Sequence, residues 1–351
     1  MNTRILTFLF VMIFALGMVQ AASAITVTVT AIPNDDIDDS AAVQLAFNKA
    51  IAGGGGTVIF PPGVLDIRNA VGICPAGDYP VNLTIKGDGG AVVRISVGSE
   101  KNALAFGNLN QLQFENMIFV GKNVPIGHPQ FIDAGNVIVA HYVASVNFSH
   151  TSFFGLAVPS PGAIVYTTSN FTADNCLFEG LNAAYPDGAV ISLDCCTSQM
   201  QNSRISSSTF LDYAHFNGQY LSKTPALTGS WVRARQTLSP VSVSTQNLTI
   251  VDTFFDEGAV STIDVQNLFA LNLRGIKVNL NGISIGTGVK AENVNRLRIE
   301  DSIFGYASSY RPLAVLVNSN AEMIGVTRRE NAQCPEVDSQ SVVNWRLSDC
   351  K

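Results

Sequence analysis

The sequence predicts an all-β solenoid, and three observations lead to this fold class. One phenylalanine position recurs along the chain about every 23 to 26 residues, with longer intervals where insertions occur. A turn-forming residue stands three positions before each recurring phenylalanine, and short alternating segments typical of strands lie between the turns. Stacked coils lie about 4.8 Å apart, so a solenoid places the same residue type at the same phase of every coil.

The recurring phenylalanine, called the anchor below, defines the repeat. The anchors are Phe119, Phe154, Phe178, Phe210, Phe255, Val278 and Phe304. The turn formers three positions earlier are Asn116, Thr151, Asn175, Ser207, Asp252, Gly275 and Asp301. Residues directly before the anchors should face outward, and five of the seven are large and apolar. The leucine-rich repeat is excluded because its L-x-x-L-x-L frame is missing.

The first 24 residues have the composition of a secretory signal peptide. Met1–Arg4 is positively charged, Ile5–Met18 is an apolar run too short for a comfortable membrane span, and Ala22–Ala24 fits a small-residue cleavage site. We therefore expect a secreted, extracellular protein whose mature chain is residues 25–351. No later segment is apolar enough to cross a bilayer, so no membrane span is expected.

Composition and charge exclude several classes of protein. The chain is 47% hydrophobic and only 14% charged, so it is neither disordered nor a coiled coil. It has 27 acidic against 21 basic residues and no run of Lys or Arg, which argues against a nucleic-acid partner. An acidic partner would need a local basic site. The spacing predicts no zinc site, and calcium stays open as a cofactor without a motif that indicates it.

One helix is predicted, at about residues 40–52. Val43 and Phe47 lie on one helical stripe, acidic and serine residues precede the segment, and a run of glycines ends it. The next segment, Thr57–Gly63, has the pattern of a strand that runs into a turn. The mature chain is therefore predicted to be a single domain with one helix near its N-terminus.

At this point the chain resembles the pectate-lyase-like superfamily. The resemblance rests on Ile37–Phe47, on Gly53–Gly63, and on the repeated N/D-x-x-F pattern. It covers almost the whole mature chain and implies a single-stranded right-handed parallel β-helix with an N-terminal capping α-helix. In that fold each coil has three strands, and ligands usually lie along the outer face of the first. The superfamily includes polysaccharide lyases, polygalacturonase-type hydrolases, uronate epimerases, phage tailspikes and non-catalytic adhesins.

The resemblance places candidate catalytic residues on the first strands of adjacent coils. Alternation along these strands predicts two outward columns. In chain order they contain Tyr166, Ser192, Arg233 and Asp264, and then Asp194, Arg235 and Gln266. A guanidinium pairs bidentately with a carboxylate, so arginines on this face suit an anionic sugar chain. Alternatively, the Asp and Arg side chains only neutralise one another across the sheet.

The candidate catalytic residues are Arg233, Asp264, Asp194, Arg235 and His215. The candidate substrate-binding residues are Tyr166, Trp231, Tyr220, Asp256 and Glu257. His215 and Tyr220 belong to the longest insertion, Phe210–Ser230, and long loops in a compact fold are often functional. Trp231 shares a strand with Arg233, and an aromatic ring face stacks on a pyranose. Asp256 and Glu257 stand shortly before the Asp264 strand.

Two reactions are compatible with these groups. A lyase needs a cation that neutralises a uronate carboxylate and a base that removes the α proton, for which Arg233 or Arg235 and His215 are candidates. A hydrolase needs two carboxyl groups, which Asp264 and a second acid such as Asp194 would supply. The polygalacturonase and uronate-epimerase motifs are absent, so the sequence does not choose between the reactions. The alternative function is a non-catalytic extracellular adhesin or glycan-binding structural protein.

The C-terminal segment, about residues 328–351, is expected to cover the apolar stripe beside the anchors. A disulfide between Cys334 and Cys350 is expected to close this tail, because six cysteines fit an oxidising compartment. The pairing of the remaining cysteines stays open, namely of Cys74, Cys176, Cys195 and Cys196. With the stripe covered from within, a monomer is favoured over a trimer. The expected partner is an acidic, uronate-containing polysaccharide.

Overall fold

The computed structural model describes residues 24–75, 81–97, 102–121, 137–155, 157–158, 162–166, 170–179, 182–183, 189–195, 202–211, 215–216, 219–220, 230–236, 247–256, 261–280 and 287–345. Over these residues the chain forms short strands and one helix, α1 (Ser40–Ala52). The strands stack with parallel registers into two long sheets. The molecule is the predicted all-β parallel β-helix.

Each coil contributes three strands. The first strands are β4 (Val71–Ile73), β12 (Gly162–Tyr166), β16 (Ala189–Cys195), β21 (Ser230–Gln236), β24 (Ser261–Gln266), β27 (Thr287–Glu292), β30 (Ala314–Val317) and β33 (Glu336–Val337). The second strands are β1 (Ile25–Thr28), β2 (Gly56–Phe60), β5 (Asn82–Gly87), β13 (Asn170–Asp174), β17 (Ser203–Ser206), β22 (Asn247–Val251), β25 (Ala270–Arg274), β28 (Arg296–Glu300), β31 (Asn320–Ile324) and β34 (Val342–Trp345). Two longer strands, β7 (Leu104–Glu115) and β9 (Ile138–Ser149), run through both positions of their coils.

The third strands form a sheet of their own. They are β3 (Gly63–Ile67), β6 (Ala91–Ile95), β8 (Ile118–Gly121), β10 (Ser152–Phe154), β14 (Leu177–Glu179), β18 (Thr209–Leu211), β23 (Phe254–Asp256), β26 (Lys277–Leu280), β29 (Ile303–Pro312) and β32 (Thr327–Gln333). Two small pairings lie outside the coils: β11 (Ala157–Val158) runs parallel to β15 (Asn182–Ala183), and β19 (His215–Phe216) runs antiparallel to β20 (Gln219–Tyr220).

A ladder of stacked phenylalanines fills the interior beside the third strands. The ring centroids of Phe153 and Phe178 are 5.2 Å apart, and those of Phe178 and Phe210 are 4.5 Å apart with nearly parallel planes. The anchor expected at Phe154 is wrong by one residue: Phe153 pairs with Phe119 and Phe178 in register, and it is fully buried. Phe154 is only half-buried. The two adjacent phenylalanines make this position ambiguous in the sequence.

The turn before each third strand from β8 to β32 has a residue with positive φ. These residues are Asn116, His150, Asn175, Ser207, Asp252, Gly275, Asp301 and Gly325, with φ between 46° and 64°. Only Gly reaches this region without steric cost, and Asn and Asp are several-fold enriched there, which explains the turn formers in the sequence pattern. His150 takes the place expected for Thr151, because the repeat is shifted by the same single residue as its anchor.

Helix α1 packs its apolar side against the first coils. Val43 and Phe47 are fully buried, and the Phe47 ring lies 5.6 Å from that of Phe106 in β7 with edge-to-face geometry. The chain leaves the helix through Gly53 and Gly54, whose backbone N–H groups cap the last turn by donating to the carbonyls of Lys49 and Ile51, respectively. The helix therefore adds its own apolar residues to one end of the solenoid core.

The C-terminal segment continues the solenoid and does not cover the outward stripe. Strand β32 pairs with β29, β33 pairs with β30, and β34 pairs with β31. The expectation of a covering tail over about residues 328–351 is therefore wrong as far as residue 345, because these residues form one more coil. The outward stripe consists of the residues directly before the anchors, with Ser152 in the place expected for Phe153. Most of its positions are half-buried, namely Ile118, Ser152, Leu177, Thr209, Phe254 and Ile303.

The cysteines of the described residues include two free thiols. Cys74 is exposed, and Cys176 is buried beside the Phe ladder. Burial raises the pKa of the Cys176 thiol to about 12, so this sulfur is an inert part of the core. The expected partner of Cys334, Cys350, lies outside the described residues, and their pairing stays a prediction. Among the described residues, no helix is long and apolar enough to span a membrane.

Candidate functional site

The first-strand face, defined here as the outer surface of β16, β21, β24 and β27, brings charged residues of adjacent coils into register. Arg233 lies beside Ser192 on one side and Asp264 on the other. Asp264 in turn lies beside Lys290 of the next coil. Two residues further along the strands, Asp194 lies beside Arg235. Ile263 and Val265 are fully buried, so alternation directs the Arg233–Asp264 column outward.

An ion pair joins two coils within this face. Nη2 of Arg235 donates to Oδ2 of Asp264 at 2.6 Å, and the Arg235 side chain is 29% exposed. Since one group retains partial exposure, the pair is a surface feature that a ligand can reach. Nη2 of Arg233 donates to the hydroxyl oxygen of Ser192 at 2.9 Å.

The central groups of this face are unusually buried for charged residues. Arg233 is 6% exposed and Asp264 is 8% exposed, although both lie in the outward column. Charged residues are almost never buried to this degree unless they are paired. Replacing buried charges by apolar residues of similar volume is often neutral or stabilising, so the burial of Arg233 and Asp264 is not by itself a source of stability.

Trp231 lies in the interior, so its predicted role in substrate binding is wrong. Its side chain is fully buried, and its ring centroid is 5.6 Å from that of Phe210 in the Phe ladder. The reason is that β21 begins with two successive core residues, Trp231 and Val232, before alternation sets in. The equivalent position two coils later is Gly288, where a Cβ atom would meet the Phe304 ring at 2.7 Å.

Tyr166 does not belong to the outward column in which it was predicted. The register pairs Val165 with Ser192 and Tyr166 with Leu193, one position further along. The strand was therefore predicted with an offset of one residue. An offset of one reverses the face on which every residue of a strand lies, which is why alternation alone placed Tyr166 with Arg233 and Asp264.

Asp256 belongs to the third-strand sheet and not to a loop beside Asp264. It ends β23, and its Oδ1 accepts a hydrogen bond from Nδ2 of Asn279 at 3.0 Å. Its predicted role in substrate binding on the first-strand face is therefore not supported by its position. Glu257 lies outside the described residues.

His215 and Tyr220 lie opposite each other in the small antiparallel pair of β19 and β20. The structure describes their backbone positions, and their predicted roles stay predictions. Asp194 is likewise placed by the backbone register alone, beside Arg235. No group of three or more His, Cys, Asp or Glu residues in the described part of the chain is arranged to hold a metal ion.

Sequence reasoning missed Glu179, which ends β14 next to the anchor Phe178. The residue is 3% exposed, and its Oε1 has no hydrogen-bond partner. In register it lies between Phe154 and Leu211, and this burial raises the pKa of its carboxyl from 4.5 to about 7. A buried carboxyl with a pKa near neutrality is a candidate for acid–base chemistry. The apolar neighbours at its phase of the repeat were the available signal.

No protein-family model matches this chain, and no curated protein matches it. Solved structures share its fold. A mannuronan C-5 epimerase A-module from Azotobacter vinelandii is 12% identical, covers 90% of this chain and 98% of that chain, and has a TM-score of 0.39. A family 28 exopolygalacturonase from Yersinia enterocolitica is 11% identical over 91% of this chain and 78% of that chain, with a TM-score of 0.38. A surface adhesin of Streptococcus pneumoniae is 12% identical over 91% of this chain and 93% of that chain, with a TM-score of 0.41. At these identities the likeness concerns the fold alone.

Proposed function

We propose that this chain is a secreted protein that acts on an acidic, uronate-containing polysaccharide across its first-strand face. The observation that carries the proposal is that two charged residues, Arg233 and Asp264, lie nearly completely buried and adjacent in register on an outward column. The general kind of function is supported by the fold, which polysaccharide-acting enzymes and an adhesin share.

Arg235 is the group best suited to contact the polymer. Its side chain is 29% exposed, and its guanidinium already meets a carboxylate of the chain at 2.6 Å. A uronate carboxylate offers the same two oxygen acceptors in the same plane, so it can share or replace this contact. Neutral sugars lack that group, which makes Arg235 a determinant of preference for acidic chains.

The arrangement of acids bears on the reaction. Asp194 and Asp264 lie two strands apart and two residues apart along the strand, which places their backbones about 12 Å apart by sheet geometry. The carboxyl groups of an inverting glycosidase are about 6.5–9.5 Å apart, and those of a retaining enzyme about 5 Å apart. If the reaction is elimination, Arg235 neutralises the uronate carboxylate and a base removes the α proton.

The test is to incubate the purified chain with a panel of uronate polysaccharides and to follow both unsaturated-uronate absorbance and reducing ends. Wild type is compared with Arg235→Gln and with Arg298→Gln, a matched control that breaks an Arg–Glu pair on the second strands. Absorbance that Arg235→Gln abolishes and Arg298→Gln preserves supports a lyase. Reducing ends without absorbance support a hydrolase. Products formed equally by all three proteins would overturn the assignment of this face.

A second candidate function is a non-catalytic glycan-binding or adhesive protein. The observation in its favour is that Asp264 is already neutralised by Arg235 within the chain, as expected if acid and base only pair across the sheet, and that Arg233 donates to Ser192. This function predicts retention of uronate polymers on the wild-type protein without any product. Binding without product on every polymer of the panel would therefore favour it over the enzyme.

A further inference from the structure

A separate cavity lies on the outer face of the third-strand sheet. It has a volume of about 330 Å³, which is within the range of small-ligand pockets. Strands β23, β26, β29 and β32 line it, so it extends over four coils. None of the residues predicted as catalytic lines it, because those belong to the first strands or to the long insertion.

The cavity exists because Gly305 interrupts a column of larger side chains. In register, Gly305 lies between Asn279 and Arg329 on the outer face of β29. A Cβ atom at Gly305 would meet only the Cβ of Arg329, at an ordinary 3.6 Å. The backbone there is not in the left-handed region, so nothing in its conformation requires glycine. The absence of a side chain at Gly305 leaves the cavity open down to the backbone of β29, and this cavity is called the notch below.

The walls of the notch combine two cations with an apolar side. Lys277 and Arg329 are both exposed, and within the described residues neither has an ion-pair partner. Phe254 and Ile303 are half-buried and present apolar surface to the cavity. The amide of Asn279 completes the lining, and it is held by the neighbouring Asp256 at 3.0 Å.

This combination selects one ligand chemistry. The chain as a whole has a formal charge of −6, so an anion is attracted only where cations are concentrated. Two cations on opposite sides of one notch form such a place. A bare inorganic anion would leave the apolar wall unused. A sugar ring with a carboxylate would pack an apolar ring face on Phe254 or Ile303 and direct its charge to Arg329 or Lys277.

We propose that the notch over Gly305 is a second binding site for an acidic saccharide, on a different sheet from the first-strand face. The site anchors a uronate-containing chain without taking part in its chemistry. The proposal does not rest on the proposed function, since it concerns equilibrium binding at residues that no reaction step uses.

The test is binding of uronate oligosaccharides, measured by calorimetry and by following the Gly305 amide resonance of the deuterated protein. Gly305→Val fills the notch without backbone strain. Lys277→Gln/Arg329→Gln removes its charges, and Arg274→Gln/Arg296→Gln removes two exposed cations from the second-strand face as a matched control. At the amide of residue 305 we expect about tenfold weaker binding in the first two variants and an unchanged affinity in the control, because the first-strand face is unaltered in all of them. Neutral oligosaccharides and inorganic sulfate should not shift the Gly305 resonance at equal concentration.

Three results would overturn the proposal: equal binding by Gly305→Val, an equal loss in the Arg274/Arg296 control, or an equal response to sulfate. These outcomes are distinct from failure of the proposed function. Absence of product together with a shift of the Gly305 amide resonance would support the second binding site and contradict the proposed enzymatic activity. Product formation with no response at Gly305 would support the enzyme and contradict the second binding site.

Discussion

Arg235 Nη2 lies 2.6 Å from Asp264 Oδ2, and this contact links two adjacent coils on the outer face of the first strands. Lys290 lies beside Asp264 on the following coil, while Arg233 lies beside it on the preceding one. The register therefore places a cationic residue of each flanking coil beside Asp264, namely Arg233 on β21 and Lys290 on β27.

Replacing Asp264 with Asn should remove activity while leaving the fold in place. The amide keeps the size of the side chain but cannot form the charged contact with Arg235 or accept a proton. We expect a loss of product formation of at least about a hundredfold, typical of a lost acid–base group. Unfolding by urea should show a free-energy loss of about 1–3 kcal/mol, because Asp264 is nearly buried. The Arg298→Gln control should retain full activity, and a comparable loss of activity in that control would contradict the assignment.

The Phe ladder predicts that alanine substitution at two adjacent phenylalanines lowers the free energy of unfolding by very different amounts. Phe153→Ala removes a ring stacked between Phe119 and Phe178 and should cost about 3–5 kcal/mol. Phe154→Ala removes a half-buried ring outside the ladder and should cost clearly less. Chemical denaturation of the two variants measures the difference directly. Equal losses, or a larger loss at Phe154, would show that the register is offset.

The repeat was predictable because its two determinants are local. A turn residue that tolerates positive φ and an anchor three positions later can both be recognised from residue type. The offset at Phe153 arose where two phenylalanines are adjacent and either satisfies the pattern. The C-terminal prediction failed for a different reason. Val342, Val343 and Trp345 are apolar whether they cover a stripe or extend the sheet, and only pairing of β34 with β31 distinguishes the two.

Trp231 should behave as a core residue in fluorescence. In a Trp345→Phe background, Trp231 is the sole tryptophan. Because its ring is fully buried against Phe210, we expect blue-shifted emission, little quenching by acrylamide, and no change on adding uronate oligosaccharides. Red-shifted emission that changes when a saccharide is added would contradict the buried position of Trp231 and would support its predicted role in substrate binding.

Glu179 should make stability depend on pH near neutrality. Burial raises its pKa in the folded chain from 4.5 to about 7, so the folded state holds the proton more tightly than the unfolded state does. Its contribution is full below about pH 4.5 and is lost as the pH rises through about 7. Glu179→Gln should therefore be more stable than wild type at pH 8, by up to about 3 kcal/mol, and equal to it at pH 4.

Denaturant unfolding across this pH range is the measurement, with the exposed Glu336→Gln as control. The control should follow the wild-type curve. A constant difference between Glu179→Gln and wild type at all pH values would mean that Glu179 is not protonated at neutral pH.

Substitution by alanine should lower stability at one of two neighbouring glycines and leave it nearly unchanged at the other. Gly275 has a φ of 62°, and a Cβ there would approach Oδ1 of Asp252 at 2.5 Å, so Gly275→Ala should cost about 1–2 kcal/mol. Gly305 has neither feature, so Gly305→Ala should be nearly neutral. Thermal unfolding of the two variants provides the comparison. Equal tolerance would argue against the left-handed turn before β26.

The candidate site was harder to predict than the fold, because it depends on register between strands that are far apart in sequence. Arg233 and Asp264 were placed together because alternation within each strand is local, and the first-strand segments were identified within one residue. Tyr166 and Trp231 were misplaced where a strand starts one residue earlier or opens with two core residues. Glu179 was missed because its burial depends on Phe154 and Leu211, which come from neighbouring coils.

A crystal structure of the Asp264→Asn variant with a bound uronate oligosaccharide shows directly whether the first-strand face binds the polymer. We expect saccharide density along the first-strand face, with a uronate carboxylate within hydrogen-bond distance of the Arg235 guanidinium. Saccharide bound elsewhere on the molecule, with the first-strand face empty at saturating ligand, would contradict it.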